Sequence, residues 1–392
     1  MPMNNAWETY LKKAKQLDNS FEPFLWYQEM RSRSPVKYDE ERKSWDIFLY
    51  EDVKMILENR EYFSLHRVEN NGNPASLEKH AQMRSIVSNF FNPSATNKWE
   101  AKIKKIVDNL LEQDNNNNST VDVVNLISAP LPAIVMAELL GIPTEDQLMF
   151  RESAQIIASS PSSSSPEEMK TKIFHKHQTT RKLYHYFSAI IEEKKRNPCE
   201  DVISALVQAQ STYDNLTSHD ILNFCILLIF AGSETTSHFI SNTIYCLLDN
   251  EEIVDNVKSN SSLLPSVLEE TLRFRSPVQA MNRVVRKDTI LRGTFLKEGD
   301  FIVVWIGSAN RDELHFYDPD RFIPNRRPNQ HLTFGKGENF CLGAPLARLE
   351  AKVAVNALIE KYPHMRLDLS KPLLPIESPY VYGLQQLHIT TA

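Results

Sequence analysis

The sequence predicts a mainly α-helical fold with a smaller β part. Three observations carry that expectation. Long runs place apolar residues at helical spacing, above all Ser218–Asn250 and Leu342–Tyr362. Strand-like patterning is confined to short stretches, Pro35–Tyr38, Trp45–Leu49 and the region after Pro277. Glycine is scarce, ten in 392 residues, yet three of the ten crowd into one decapeptide, Phe334–Gly343, FGKGENFCLG.

Taken in order, Asp18–Arg31 reads as an irregular, aromatic-rich start leading into a short helix. Pro35–Tyr38 and Trp45–Leu49 are two strands, and Tyr50–Asn59 is a helix. Ser64–Ser76 loses periodicity and carries Asn70, Asn71, Gly72 and Pro74, so it is a loop. Leu77–Phe91 is the next helix, with His80 and Arg84 four apart and therefore on one face. Lys98–Glu112 is amphipathic, Asp114–Thr120 is a polar turn, and Val121–Leu140 is an apolar central helix stopped by Gly141 and Pro143. Ser159–Pro166, SSPSSSSP, has linker composition. With helices on both sides, it is expected to be a lid loop over a pocket. Phe174–Lys195 is a long charged helix and Val202–Gln210 a shorter one.

Thr217 and Asp220 form a capping box that opens the long helix Ser218–Asn250. Its middle reads Ala231-Gly232-Ser233-Glu234-Thr235-Thr236, a poor helix centre by propensity. A packing glycine with threonine hydroxyls bonded back to helix carbonyls would explain that string. So would a function that overrides a local rule. Ser266–Phe274 carries Glu270 and Arg273, a pair that contributes little if it lies on a surface. Strands follow at Val284–Leu291 and Phe301–Trp305, and Pro379–Thr390 is expected to be a hairpin with Tyr382-Gly383 near its turn.

Glycines clustered in a glycine-poor chain mark a tight loop with another group pressed against it. Cys341 stands where that loop meets the N-terminus of the helix Leu342–Tyr362. Backbone N–H groups and the helix dipole there favour a thiolate. The order F-G-x-G-x-x-x-C-x-G resembles the haem-binding loop of the cytochromes P-450, the haem-thiolate monooxygenases. That resemblance implies that Cys341 is the axial ligand of haem b, with Phe334, Asn339 and Gly343 in the cofactor-binding loop.

The resemblance extends along the chain. Ala231–Thr236 is similar to the family's A-G-x-[DE]-T-[TS] motif, which implies that Glu234 and Thr235 deliver protons. It also places Ala231 and Gly232 beside the cofactor, Gly232 leaving room for dioxygen. His80 and Arg84 match an H-x-x-x-R pair that donates to haem propionates, and Arg283 matches a further propionate-binding arginine. Glu270 and Arg273 match a structural E-x-x-R pair, whose partner would be Arg326 or Arg321. Ala309–Asp312 and Asp318–Phe322 are further family-like segments. Two positions depart from the pattern. Asn339 stands where a histidine or arginine is usual, and Ser76-Leu77-Glu78 replace a D-P-P before His80.

The likeness covers Phe21 to the C-terminus and implies one haem-thiolate domain over residues 1–392. Its β-richer parts fall at about 21–64, 280–330 and 370–392, its helical parts at about 77–275 and 342–362. The implied activity is insertion of one oxygen atom of O2 into a C–H bond of a hydrophobic small molecule, of fatty acid, terpenoid or steroid class. Electrons would come from a separate ferredoxin or flavodoxin with its NAD(P)H-dependent reductase. Leu228, Ala231, Val278, Gln279, Ala280 and Tyr382 would contact substrate. A peroxide-driven hydroxylase and a haem-binding gas sensor compete with this reading, but the Glu234–Thr235 pair counts against the first, and no output domain is visible for the second.

Composition agrees. The net charge of −6 leaves no nucleic-acid footprint. Cysteines 199, 225, 246 and 341 have no zinc spacing. The first twenty residues contain no apolar run, and the apolar window Ile221–Gly232 is too short to span a bilayer. A reduced, cytoplasmic, monomeric chain without a membrane anchor is expected.

Overall fold

The computed structural model describes residues 22–65, 74–114, 119–146, 149–150, 152–153, 156, 166–376, 378 and 380–391. Most of the Ser64–Ser76 loop, of the Asn-rich turn and of the Ser159–Pro166 lid lies outside them, as does Asp18–Phe21. The chain divides into two compact units. One gathers Met1–Glu69, Ser241–Cys341 and Met365–His388. The other gathers Asn70–Ile240, Leu342–His364 and Ile389–Ala392.

The first unit is built on a five-stranded sheet. Val36–Asp39 runs antiparallel to Ser44–Ile47, which lies parallel to Phe301–Val304. Phe301–Val304 pairs antiparallel with Met281–Val285, whose far edge takes the short strand Phe63–Ser64. Both faces are covered. Ile47, Val285, Ile302 and Val304 pack with Tyr50, Val53, Ile56 and Leu57 of the helix Tyr50–Glu58. Phe48, Val303 and Trp305 pack with Tyr27 and Met30 of the helix Phe24–Arg33. A strand buried on both sides reads as a continuous apolar run, which is why Phe301–Trp305 lacks alternation.

Three expectations are corrected in this unit. The strand foreseen at Val284–Leu291 ends at Val285, and Thr289–Leu291 pairs instead with Thr294–Leu296. Arg292 and Gly293 turn that hairpin with φ of 49° and 80°, the combination a two-residue hairpin turn demands. The helix Glu251–Ser259 was not anticipated, because Asn250 reads as the end of the longer helix before it. Tyr382-Gly383 is not a hairpin turn. Val381 bridges back to Val278, and Leu384–Gln386 pairs with Leu374–Pro375.

The second unit is helical. Glu100–Glu112 turns Ile103, Ile106, Val107, Leu110 and Leu111 inward, the stripe its spacing foretells. The apolar run Val121–Leu140 is not one helix. Thr120–Asp122 is extended, Val124–Ser128 forms a π turn, and the α-helix Pro130–Leu140 opens with Pro130 in its first turn. Proline suits that place because it lacks the N–H that an interior position would need. Pro166–Arg196 is longer than expected at its N-terminus. Thr217 and Asp220 exchange backbone–side-chain bonds of 2.9 and 3.2 Å, closing the predicted capping box.

The helix that box opens, Ser218–Leu248, spans 31 residues, and its most apolar stretch has a mean hydropathy of 1.3. By length and composition it could cross a membrane, which the shorter window read from sequence could not. However, 56% of its most apolar stretch is buried within the fold, and Ser237, His238, Ser241, Asn242 and Thr243 are buried along it. These are properties of a core helix.

Candidate active site

The cysteine loop belongs to the first unit. Gly335 and Gly337 take φ of 72° and 69°, a region L side chains rarely adopt. A Cβ on Gly337 would also meet Glu58 Cα at 3.4 Å, so the turn Gly337–Asn339 lies directly on the end of the helix Tyr50–Glu58. The Cys341 N–H donates to the Phe334 carbonyl at 2.8 Å and closes the loop on itself. Gly343 is the N-cap of Ala344–Lys361, so Cys341 stands two residues ahead of a helix N-terminus. It is half-buried and in no disulfide. Cys225 and Cys246 are fully buried, and burial pushes both thiols up, that of Cys246 to about 12. The arrangement therefore favours thiolate chemistry at Cys341 over either of them.

Arg283, on the strand Met281–Val285, is only 3% exposed. Among the described residues it pairs with no carboxylate, and its Nη1 donates to the Asn282 carbonyl at 2.8 Å. Burial and the nearby Arg60 charge push its guanidinium down to about 10. A buried cation without a counterion is costly and calls for an anion. The Asn339 Oδ1 accepts from Arg60 Nη2 at 2.7 Å, in a bond exposed at the surface. Arg60 Nη1 also donates to Glu338.

Leading into the loop is a clamp around Glu270, which is completely buried. Its carboxylate accepts from Arg273 at 2.8 and 2.9 Å, from Arg326 Nε at 3.1 Å and from the Ile323 N–H at 2.8 Å. Arg273 in turn donates to the carbonyls of Asn310, Pro319 and Arg321. The choice left open by sequence falls on Arg326. Arg321 offers only its carbonyl.

The residues expected to contact substrate in this unit have internal partners. Gln279 is 3% exposed, accepts from the Tyr27 hydroxyl at 2.6 Å and donates to the Ser276 carbonyl at 2.6 Å. Ala280 sits in the core with Tyr27 and Trp305. The Tyr382 hydroxyl accepts from Arg275, and its ring meets Phe24. Val278 is half-buried, on the bridge to Val381.

The acid–alcohol pair belongs to the second unit. Leu228 and Ala231 share a face of the long helix with Thr235, at spacings of three and four; Ala231 is exposed and the other two are half-buried. The Thr235 hydroxyl donates to the Ala231 carbonyl at 2.8 Å, the back-bonded arrangement a helix threonine adopts readily. Burial raises the Glu234 carboxyl, and the Lys176 charge partly opposes that. Lys176, on the helix Pro166–Arg196, is itself lowered by burial. Sequence offered no signal for it, since it is one lysine on a charged helix. Gly232 packs closely against the helix Pro130–Leu140. The space a side chain would take is filled by Met136, whose Sδ would lie 2.7 Å from an added Cβ, so the glycine serves helix packing there. His80 and Arg84 lie half-buried on the helix Pro74–Phe91, and the His80 ring meets Phe224 edge-on at 5.4 Å.

A cysteine held on a glycine turn before a helix, with a buried arginine in the same unit that pairs with no carboxylate among the described residues, fits an iron porphyrin bearing acidic side arms. Fold and loop together define a haem-thiolate protein. A cytochrome P450 family profile matches residues 50–389. Cytochrome P450 109 of Bacillus spizizenii is 38% identical over 94% of this chain and 91% of its own. The solved structure of CYP109E1 from Bacillus megaterium in complex with corticosterone is 44% identical and superposes with a TM-score of 0.86, covering 95% of this chain and 98% of that one. P450BioI, solved with an acyl carrier protein bearing hexadec-9Z-enoic acid, is 28% identical with a TM-score of 0.84, covering 99% and 100%. The chain belongs to the cytochrome P450 family. It is a monooxygenase-family oxidoreductase whose cofactor is haem b.

Proposed function

We propose that residues 1–392 act as one cytoplasmic, monomeric monooxygenase domain that hydroxylates a hydrophobic small molecule of steroid or fatty-acyl class. Electrons would come from a separate ferredoxin or flavodoxin and its NAD(P)H-dependent reductase. The observation that carries this reading is the cysteine loop, in which Gly335, Gly337 and the Cys341–Phe334 bond hold one half-buried thiol ahead of a helix N-terminus. The substrate class is supported by what two relatives were solved with, corticosterone in one and a hexadecenoyl-loaded carrier protein in the other.

Bound haem supplies activation of O2, with the Cys341 thiolate as its protein ligand. Arg283, with His80 and Arg84, offers cationic donors to the propionates. Glu234, its proton affinity raised by burial and moderated by the Lys176 charge, accepts and releases protons. The Thr235 hydroxyl passes them on by rotating away from the Ala231 carbonyl. Leu228 and Ala231 give an apolar surface beside that hydroxyl, suited to a hydrocarbon substrate.

The ferrous–CO spectrum tests the reading. Wild type should give the strongly red-shifted Soret band of thiolate ligation, and Cys341→His should abolish it. Retention of the band by Cys341→Ala would refute the ligand assignment. A spectral screen against steroids and fatty acids then separates the substrate classes.

A further inference from the structure

The departure at Asn339 has a neighbour that compensates for it. Asn339 brings no charge, but its Oδ1 is engaged by Arg60 Nη2 at 2.7 Å. Arginine only donates, so this bond fixes which end of the amide faces it and leaves the Asn339 NH2 group to donate elsewhere. Gly337 holds the arrangement in place, because without a Cβ it lets the loop's turn lie on the end of the helix Tyr50–Glu58, two residues before Arg60. The Arg60 charge is also felt at buried Arg283, on the strand paired with Phe63–Ser64. Two guanidinium groups of one unit are thus kept close enough to repel, with Glu338 the one carboxylate on Arg60 and none on Arg283 among the described residues. Glu338 is 75% exposed and offsets little of that repulsion.

We infer that Arg60 and Asn339 together form a split donor for a haem propionate, Asn339 giving the hydrogen bond and Arg60 the positive charge that side chain 339 lacks. The inference rests on haem binding at Cys341. It extends that reading to a residue in the turn after an early helix, more than two hundred residues from the loop it serves.

The test measures haem transfer from the holoenzyme to excess apomyoglobin, with resonance Raman spectra of the propionate bending modes. Arg60→Gln should lose haem about fivefold faster, the difference between a charged and a neutral hydrogen bond. The propionate mode should shift as well. Adding Asn339→Arg to the Arg60→Gln protein should return the rate to within about twofold of wild type, since the charge is restored on the loop itself. Glu338→Gln should leave the rate unchanged. Should Arg60→Gln not accumulate, Arg60→Lys should retain haem nearly as well as wild type. Equal acceleration by Arg60→Gln and Glu338→Gln would reduce the contact to a loop-stabilising ion pair and overturn the inference. So would an unmoved rate and Raman mode in Arg60→Gln. Loss of this inference alone leaves the thiolate Soret band intact in every variant, whereas a wild type without that band removes the ligand reading beneath it.

Discussion

Two buried ionisable side chains of the second unit make opposite demands on pH. Burial pushes His238 down to about 4 from 6.5. Burial also pushes the Glu350 carboxyl well above 4.5, and its Oε2 has no hydrogen-bond partner among the described residues. A base weakened by folding leaves stability whole above about 6.5 and removes it as pH falls towards 4, about 3 kcal/mol for His238. An acid weakened by folding does the reverse, with stability whole below 4.5 and falling as pH rises towards the folded value. Glu350→Gln should therefore flatten the decline of Tm with rising pH and melt higher than wild type at pH 8. His238→Gln should flatten the acid limb. A Tm–pH curve unchanged in Glu350→Gln would mean that the carboxylate is already solvated. At Thr235 the bond to the Ala231 carbonyl exists in the resting fold, so the hydroxyl has two employments. Thr235→Ala should leave the helix and Tm nearly unchanged while lowering product per electron and releasing hydrogen peroxide. Peroxide yield and product counted against NAD(P)H decide it, and unchanged coupling would leave the threonine a packing residue.

Among the elements, the helix Leu264–Phe274 is tied to the chain entering the cysteine loop by Glu270, Arg273 and Arg326. All three charged groups are almost fully withdrawn from water, so removing one partner strands another. Glu270→Ala should cost about 3–5 kcal/mol and yield little holoprotein. Normal yield with full haem content would show that the carbonyl bonds of Arg273 suffice without the carboxylate. This pair was legible in sequence as a motif, but its burial was not, since E-x-x-R looks the same on a surface. The cysteine loop was legible for a firmer reason, because glycine crowding and a following helix constrain the backbone directly. What stayed hidden was contact across long separations. Arg60, Lys176 and Met136 each act through a partner distant in sequence, and no local periodicity marks them. The π turn at Val124–Ser128 was missed because it is as apolar as the α-helix beyond it.

On the scale of the whole molecule, neither unit is a continuous run of chain. The sequence passes between their stretches five times, once inside the helix Ser218–Leu248 and once between Cys341 and Leu342. The residues proposed to hold haem, from Arg60 to Cys341, are likewise scattered over most of the length. A ligand that binds only the folded state adds about 4 kcal/mol at a thousandfold excess over its Kd. Protein prepared without haem should therefore melt on the order of 5–10 °C lower than the holoenzyme. Scanning calorimetry checks this, and equal Tm values would place the fold's stability in the polypeptide alone. The same threading sets a timetable for biosynthesis. Cys341 precedes Met365, where the last stretch of the first unit starts, by 24 residues. At about 5–20 residues per second, that interval takes roughly 1–5 seconds to translate. The first unit still needs Met365–His388 after that. Haem capture by a completed first unit thus trails the synthesis of its own cysteine ligand.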